Sequence, residues 1–214
     1  MAVESCSFRE ELSDGLFRLS REMGIEVATA GLAAFTVLLH RYTAQDKFVV
    51  ATECGTGQLL PVVADFSDRP SFRHLLHRLE AAICTGWKAG AVLPDLAGQL
   101  GLDPDPSRHP IFQVAFSARM GEAPLASPSV SVGTPATGLD LYLELGGSSQ
   151  LTLRLHYNQG LFERGTASRM LNHLQQLLAG AIEDIDRSSA ELPMLTDREV
   201  HAVSYTHLLR LASH

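Results

Sequence analysis

The sequence predicts a mixed α/β protein, on three observations. Apolar residues recur every three or four positions in some segments and alternate in others, which are the periods of helix and strand. Clusters of Gly, Pro and Asp separate those segments. At 214 residues, 45% of them hydrophobic, the chain is long enough to bury a substantial core.

Over residues 8–23, Leu12, Leu16 and Leu19 share one face between charged residues, and Gly24 follows where a helix C-cap sits. From Thr29, read as an N-cap, Leu32, Phe35, Leu39 and Tyr42 make a second helix with one apolar face. Residues 47–52 are β-branched and aromatic and run into Gly55-Thr56-Gly57, a strand followed by a turn, with residues 59–65 as its successor. Ser71 caps a third helix, in which Phe72, Leu75, Leu76, Leu79 and Ile83 face inward and Arg73, His74, His77, Arg78 and Glu80 face solvent. Residues 90–110 read as loop, brief helix and loop, 111–116 as a buried strand, and 121–138 as a long excursion. Leu139, Leu141, Leu143 and Leu145, then Leu151, Leu153, Leu155 and Tyr157, alternate with polar residues around Gly146-Gly147-Ser148-Ser149, the pattern of a hairpin with one buried face. A last helix over 163–185 turns Met170, Leu174, Leu177, Ala181 and Ile185 inward and Arg169, His173 and Gln176 outward. The sum is a mixed sheet covered by helices.

Charge excludes one class of partner. With 17 basic against 24 acidic residues, a net charge of -7 and no basic tract, phosphate neutralisation cannot drive nucleic-acid binding, and an anionic membrane is no better a partner. No apolar run approaches the roughly 20 residues of a membrane span. Three widely spaced cysteines, Cys6, Cys54 and Cys84, form no disulfide framework or zinc spacing, so the chain reads as soluble, unsecreted and cytoplasmic.

Local catalytic signatures are sparse. His74 and His77 are three apart, but no carboxylate or cysteine completes a metal set, so they read as a solvated face and no metal is assigned. Gly55-Thr56-Gly57 lacks the third glycine and lysine of a phosphate cradle. Asp103 and Asp105 flank a proline and read as turn residues. A nucleophile assembled in space from distant Ser, His or Cys stays open.

Taken in order, several segments resemble one family. Leu32 through Asp46, followed by Phe48-Val49-Val50-Ala51-Thr52, is similar to the helix-strand passage in the second half of condensation domains of nonribosomal peptide synthetases. Asp105-Pro106-Ser107-Arg108-His109-Pro110-Ile111-Phe112-Gln113-Val114 resembles the family's RDxSRxPLFQV motif. Leu139-Asp140-Leu141, with Tyr157-Asn158 and Leu161-Phe162, resembles its FDL...Y-N-x-x-LF hairpin, and Glu191-Leu192-Pro193-Met194-Leu195-Thr196 its ELPLLT exit.

The resemblance implies one lobe of a two-lobed, chloramphenicol acetyltransferase-like fold: residues 1–195 as the C-terminal lobe, 196–214 as exit linker and tail. It implies peptide-bond formation between carrier-bound thioesters, with no bound cofactor; phosphopantetheine arrives on partner carrier proteins. A first lobe, in trans or as missing sequence, would complete the domain. The family's HHxxxDG histidine is absent from all nine histidine contexts, so no catalytic residue is assigned and the chain is expected to be inactive alone. A non-catalytic carrier-docking module is the alternative.

Ser107, Arg108, His109, Pro110 and Asn158 match family motifs. Their expected roles are structural first, with Arg108 tying down its loop and Asn158 shaping a turn, against direct carrier or substrate contact. Three departures stand out. Gly57-Gln58 runs straight into Leu59, as though some 15 to 20 residues were missing, a gap large beside common loop lengths. The HQDxPFE stretch keeps only Leu93-Pro94. Residues 203–214 leave the family pattern, as either a truncated or misassembled reading frame or an ordinary helical tail.

Overall fold

The computed structural model describes residues 1–53, 59–88, 101, 111–121, 138–196 and 199–200. The readings placed on Gly55 to Gly57, on 90–110 (Ser107, Arg108, His109 and Pro110 among them), on the interior of the 121–138 excursion and on the tail lie outside those residues.

Six strands form one mixed sheet in the order β1-β6-β5-β4-β2-β3. They are β1 (Ala2–Ser7), β2 (Lys47–Glu53), β3 (Leu59–Asp65), β4 (Val114–Met120), β5 (Leu141–Gly147) and β6 (Thr152–Tyr157). The pairs β1–β6, β5–β6 and β2–β3 are antiparallel, whereas β4 runs parallel to both β2 and β5. Helices α1 (Glu10–Met23), α2 (Val27–Thr43), α3 (Phe72–Lys88) and α4 (Arg164–Glu183) contribute to a single large core with Phe116, Leu143, Leu145 and Leu155.

Helix α1 ends as its sequence predicts. Gly24 takes a left-handed φ of 64°, and the amides of Gly24 and Ile25 donate back to Arg21 and Ser20 carbonyls, closing a Schellman turn. Helix α2 departs from expectation twice. It begins three residues earlier, with Glu26 in the N-cap position, so Thr29 is not a cap: it sits inside the helix and donates its hydroxyl to Glu80 Oε2 at 2.6 Å. It is also buried on every side from Thr29 to Leu39, not on one face, because it is enclosed by the sheet and the other helices.

Other differences follow from tertiary cover. The sequence does not predict strand β1, since Glu4 and Cys6 stand at its inward positions; pairing with β6 supplies what its composition lacks. The strand expected over 111–116 forms at Val114–Met120 instead. The hairpin of β5 and β6 buries both faces, with Tyr142, Glu144 and His156 buried as well as the leucines. His173, predicted to face solvent, is 4% exposed, because the segment after α4 folds back across it.

That returning segment is strapped down along its length. Arg73 holds Asp186 through two hydrogen bonds of 2.7 and 3.0 Å, and Arg41 Nη1 donates to the carbonyls of Ala190 and Leu192. Thr196 and Glu199 cap one another reciprocally: the Thr196 amide and hydroxyl donate to Glu199 Oε2 at 2.9 and 2.7 Å. Those bonds, joined by His173 Nε2 at 3.0 Å, hold the Glu199 carboxyl down at about 2. The second ring nitrogen of His173 meets Tyr42 Oη at 2.9 Å.

Pro193 crosses α4 directly over Gly180, where an added Cβ would lie 2.5 Å from two carbons of the proline ring. The rigid ring cannot rotate away. Helix propensity alone makes Gly180→Ala stabilising by about 1 kcal/mol, but overpacking costs roughly 1–3 kcal/mol. Urea unfolding followed by circular dichroism should therefore show a lower midpoint for G180A, and an unchanged or higher one would show that the crossing is loose.

Candidate functional site

Strand period decides what lies where. Residues 141, 143 and 145 of β5, and 153, 155 and 157 of β6, point into the helix-covered core, so Tyr142, Glu144, Arg154 and His156 project from the opposite face. The same alternation places Ala115, Ser117 and Arg119 of β4, and Val49, Ala51 and Glu53 of β2, on that second face. A smaller cluster lies there, made of Ala51, Phe112, Ala115, Leu139 and Tyr142.

Beside this cluster two polar pairs are closed across strands. Ser117 Oγ and Tyr142 Oη are 2.6 Å apart, and Glu144 Oε2 meets His156 Nε2 at 2.8 Å. Register puts Tyr142 opposite His156 and Glu144 opposite Arg154, so the Glu144–His156 contact is a diagonal one. The tyrosine and histidine rings also contact one another, with centroids 5.5 Å apart. Glu53 and Arg119 approach to 3.9 Å at the side of the array.

The chemistry follows from burial and charge. Burial pushes the Tyr142 hydroxyl up to about 12, so it remains a neutral hydrogen-bonding group. For Glu144, burial alone would raise the carboxyl, but the His156 hydrogen bond, aided by the charges of His156, Arg154 and Arg119, outweighs it and holds the group below its ordinary value. Glu144 is thus ionised at neutral pH and can only accept, so His156 Nε2 carries the proton in their hydrogen bond.

Of the residues singled out by motif, Asn158 is described. Its amide donates to Asp140 O at 3.0 Å, its carbonyl accepts from Leu161 and Phe162, and its Oδ1 accepts from Gly160, so it organises the exit from β6. The motif neighbour Asp140 is joined through its own amide to Gln113 O. His74 and His77 are exposed on α3, and no metal-ligating group of three or more occurs among the described residues. Glu144 and His156 carried no sequence signal beyond alternation; only the strand register, Leu141 opposite Tyr157, brings them together.

Likeness to known proteins shows the family. The profile described as "Condensation domain" matches residues 58–203. The chain belongs to the condensation-domain family of nonribosomal peptide synthetases. A linear gramicidin synthase from Brevibacillus parabrevis is 30% identical over 218 residues, covering 91% of this chain and 4% of that protein. Chondramide synthase cmdD from Chondromyces crocatus is 26% identical over 213 residues, covering 89% of this chain and 5% of that protein. The present condensation-domain sequence therefore spans only a small part of these relatives.

Solved structures agree on the fold. The X-domain in complex with OxyB, from teicoplanin biosynthesis, superposes with a TM-score of 0.78 at 23% identity, covering 92% of this chain and 48% of that one. The condensation domain of the monacolin K polyketide synthase MokA gives 0.75 at 18%, covering 88% and 48%. The fold is thus the one shared by condensation domains, and about half of each neighbour is matched.

Replacing Glu144 by Gln keeps the shape of the side chain and removes its charge. A hydrogen bond to a charged group contributes about 1.5–3 kcal/mol, so E144Q should lose roughly that much stability at neutral pH. Because the folded carboxyl lies below its ordinary value of 4.5, its contribution is complete above that pH and vanishes as pH falls through the depressed value. Urea midpoints of the two proteins should therefore converge on acidification below about pH 4.5; a constant difference down to pH 2 would contradict the ionised carboxylate.

Proposed function

We propose that this condensation-domain chain works as the second lobe in amide-bond formation, contributing a wall of the reaction chamber and a surface for carrier proteins, with the proton-handling histidine supplied by a first lobe. The observation that carries this reading is in the sequence: the passage through Thr52, the Asp105 to Val114 motif, the Asp140 and Asn158 hairpin and the Glu191 to Thr196 exit stand in family order, while no HHxxxDG occurs. The match to about half of each structural neighbour supports it.

On this reading the cofactor is brought by the partner. A phosphopantetheine arm would deliver the thioester from a carrier protein, and the acceptor amine would attack its carbonyl carbon, forming the C–N bond as the C–S bond breaks and the thiol leaves. The chain's own part is to hold and orient, through the rigid sheet and the strapped exit segment. The same reading puts it in the cytoplasm. Among the described residues no single helix is long and apolar enough to cross a membrane; α1 and α2 pass only as a pair bent by 108°, and α2 is enclosed in the core.

The test is reconstitution with loaded carriers. Incubated with aminoacyl and peptidyl carrier proteins, the chain by itself should form no amide, and adding a condensation-domain first lobe that carries HHxxxDG should raise amide formation at least about 100-fold, the scale of a positioned acid-base group. Amide formation by the chain alone would overturn the division of labour.

A further inference from the structure

Helix α1 borders a groove on the side away from its buried residues. Asp14, Phe17, Arg18 and Arg21 recur at helical spacing and share one face of the helix. With Ser148, in the turn between β5 and β6, they line a groove of about 600 Å³, a volume in the range of small-molecule sites. Its walls are held in place. The Leu151 amide donates to Ser13 Oγ at 3.1 Å and Gln150 Nε2 donates to Phe8 O at 3.0 Å, which bonds the turn to α1 and to the residue leading into it. Phe17 packs against the core behind the groove, so its ring is anchored too.

The positive charge in this groove is uncommitted. Elsewhere guanidiniums are engaged: Arg73 holds Asp186, Arg78 holds Asp68, and Arg164 meets Glu4 at 2.8 Å. Arg18 and Arg21 have no side-chain hydrogen-bond or ion-pair partner among the described residues, although Asp14 and Glu22 each stand one helical turn from Arg18. Nor does α1 need Arg21 as a cap, because the carbonyls of Ser20 and Arg21 already accept from the amides of Ile25 and Gly24. Two guanidiniums against one carboxylate leave the groove positive on a chain whose net charge is -7. An anion is drawn here by local charge, against the field of the chain as a whole.

The side chains select the kind of anion. A guanidinium fork matches the oxygens of a phosphate and can hold two of them at once. The Ser148 hydroxyl adds a further hydrogen-bonding group, and Phe17 offers an apolar surface that a bare ion would leave unused. We propose that this groove is a binding site for an organic phosphate, its phosphate held by Arg18 and Arg21 and its carbon body laid on Phe17. The assignment does not depend on the second-lobe reading.

The full chain tests it, titrated at low salt because exposed charges are screened. The probes are adenosine monophosphate and phosphopantetheine, two different bodies bearing the same group, with inorganic phosphate and dephosphorylated pantetheine as controls. Calorimetry should show one organic phosphate bound per chain, at least about tenfold more tightly than either control, each tenfold being 1.4 kcal/mol. The tighter of the two organic phosphates identifies the body. NMR should place the largest shifts at the Nε–H groups of Arg18 and Arg21 and at the Ser148 amide. The double variant R18Q/R21Q changes two exposed positions; it should keep the urea midpoint of the unaltered chain and lose at least about tenfold in affinity. Inorganic phosphate bound as tightly as both organic phosphates would mean an adventitious ion only. That result, no binding of either organic phosphate, an affinity unchanged in the double variant, or shifts that leave Arg18, Arg21 and Ser148 unmoved would each overturn the assignment.

Discussion

The close approach of α2 to the middle of the sheet is the constraint on which the rest of the structure depends. Ala30, Gly31, Ala33 and Ala34 are buried within this helix, and a Cβ added at Gly31 would stand 2.7 Å from Leu145 Cδ2 and 3.1 Å from Phe116 Cζ. Small residues there set the distance between helix layer and strands, as close packing requires. Leu145 and Phe116 belong to β5 and β4, the two strands that carry Ser117, Tyr142 and Glu144 on their other side. The geometry of the polar face is therefore set from behind, by an apolar contact.

The two faces of the sheet are built on different physical terms. One is apolar and closed by helices, and its stability comes from removing leucine and phenylalanine surface from water. The other takes the Glu144 carboxylate and the His156 imidazole out of solvent, which costs desolvation free energy that their contact offsets only while both partners remain. A fold that needed stability alone would do as well with two apolar residues there. Spending that free energy at one spot, beside a braced tyrosine, is the reason to look to this face for chemistry.

Much of the fold could be read from one-dimensional periods. The alternating leucines of 139–157 marked the hairpin, the threes and fours of Phe72, Leu75, Leu76 and Leu79 marked α3, and Gly24 marked the end of α1. What could not be read depends on partners distant in sequence. His173 is buried because Thr196 and Glu199 return over it, Thr29 has a role through Glu80, and Ala2 to Ser7 becomes a strand because β6 is beside it. Family membership was legible through the order of motifs, since Asp140, Asn158 and the Glu191 to Thr196 stretch each match at their own place. The Glu144–His156 pair was not, because a diagonal contact exists only once the register of two strands is set.

The central claim is that the sheet face carrying Ser117, Tyr142 and His156 is the working face in the proposed second-lobe role. Amide and side-chain NMR of the chain, titrated with a phosphopantetheinylated carrier protein, maps it most directly. The account predicts perturbations reaching Ser117, Tyr142 and His156; perturbations confined to the outer surfaces of α1 and α3, with those three unmoved at saturation, would contradict it.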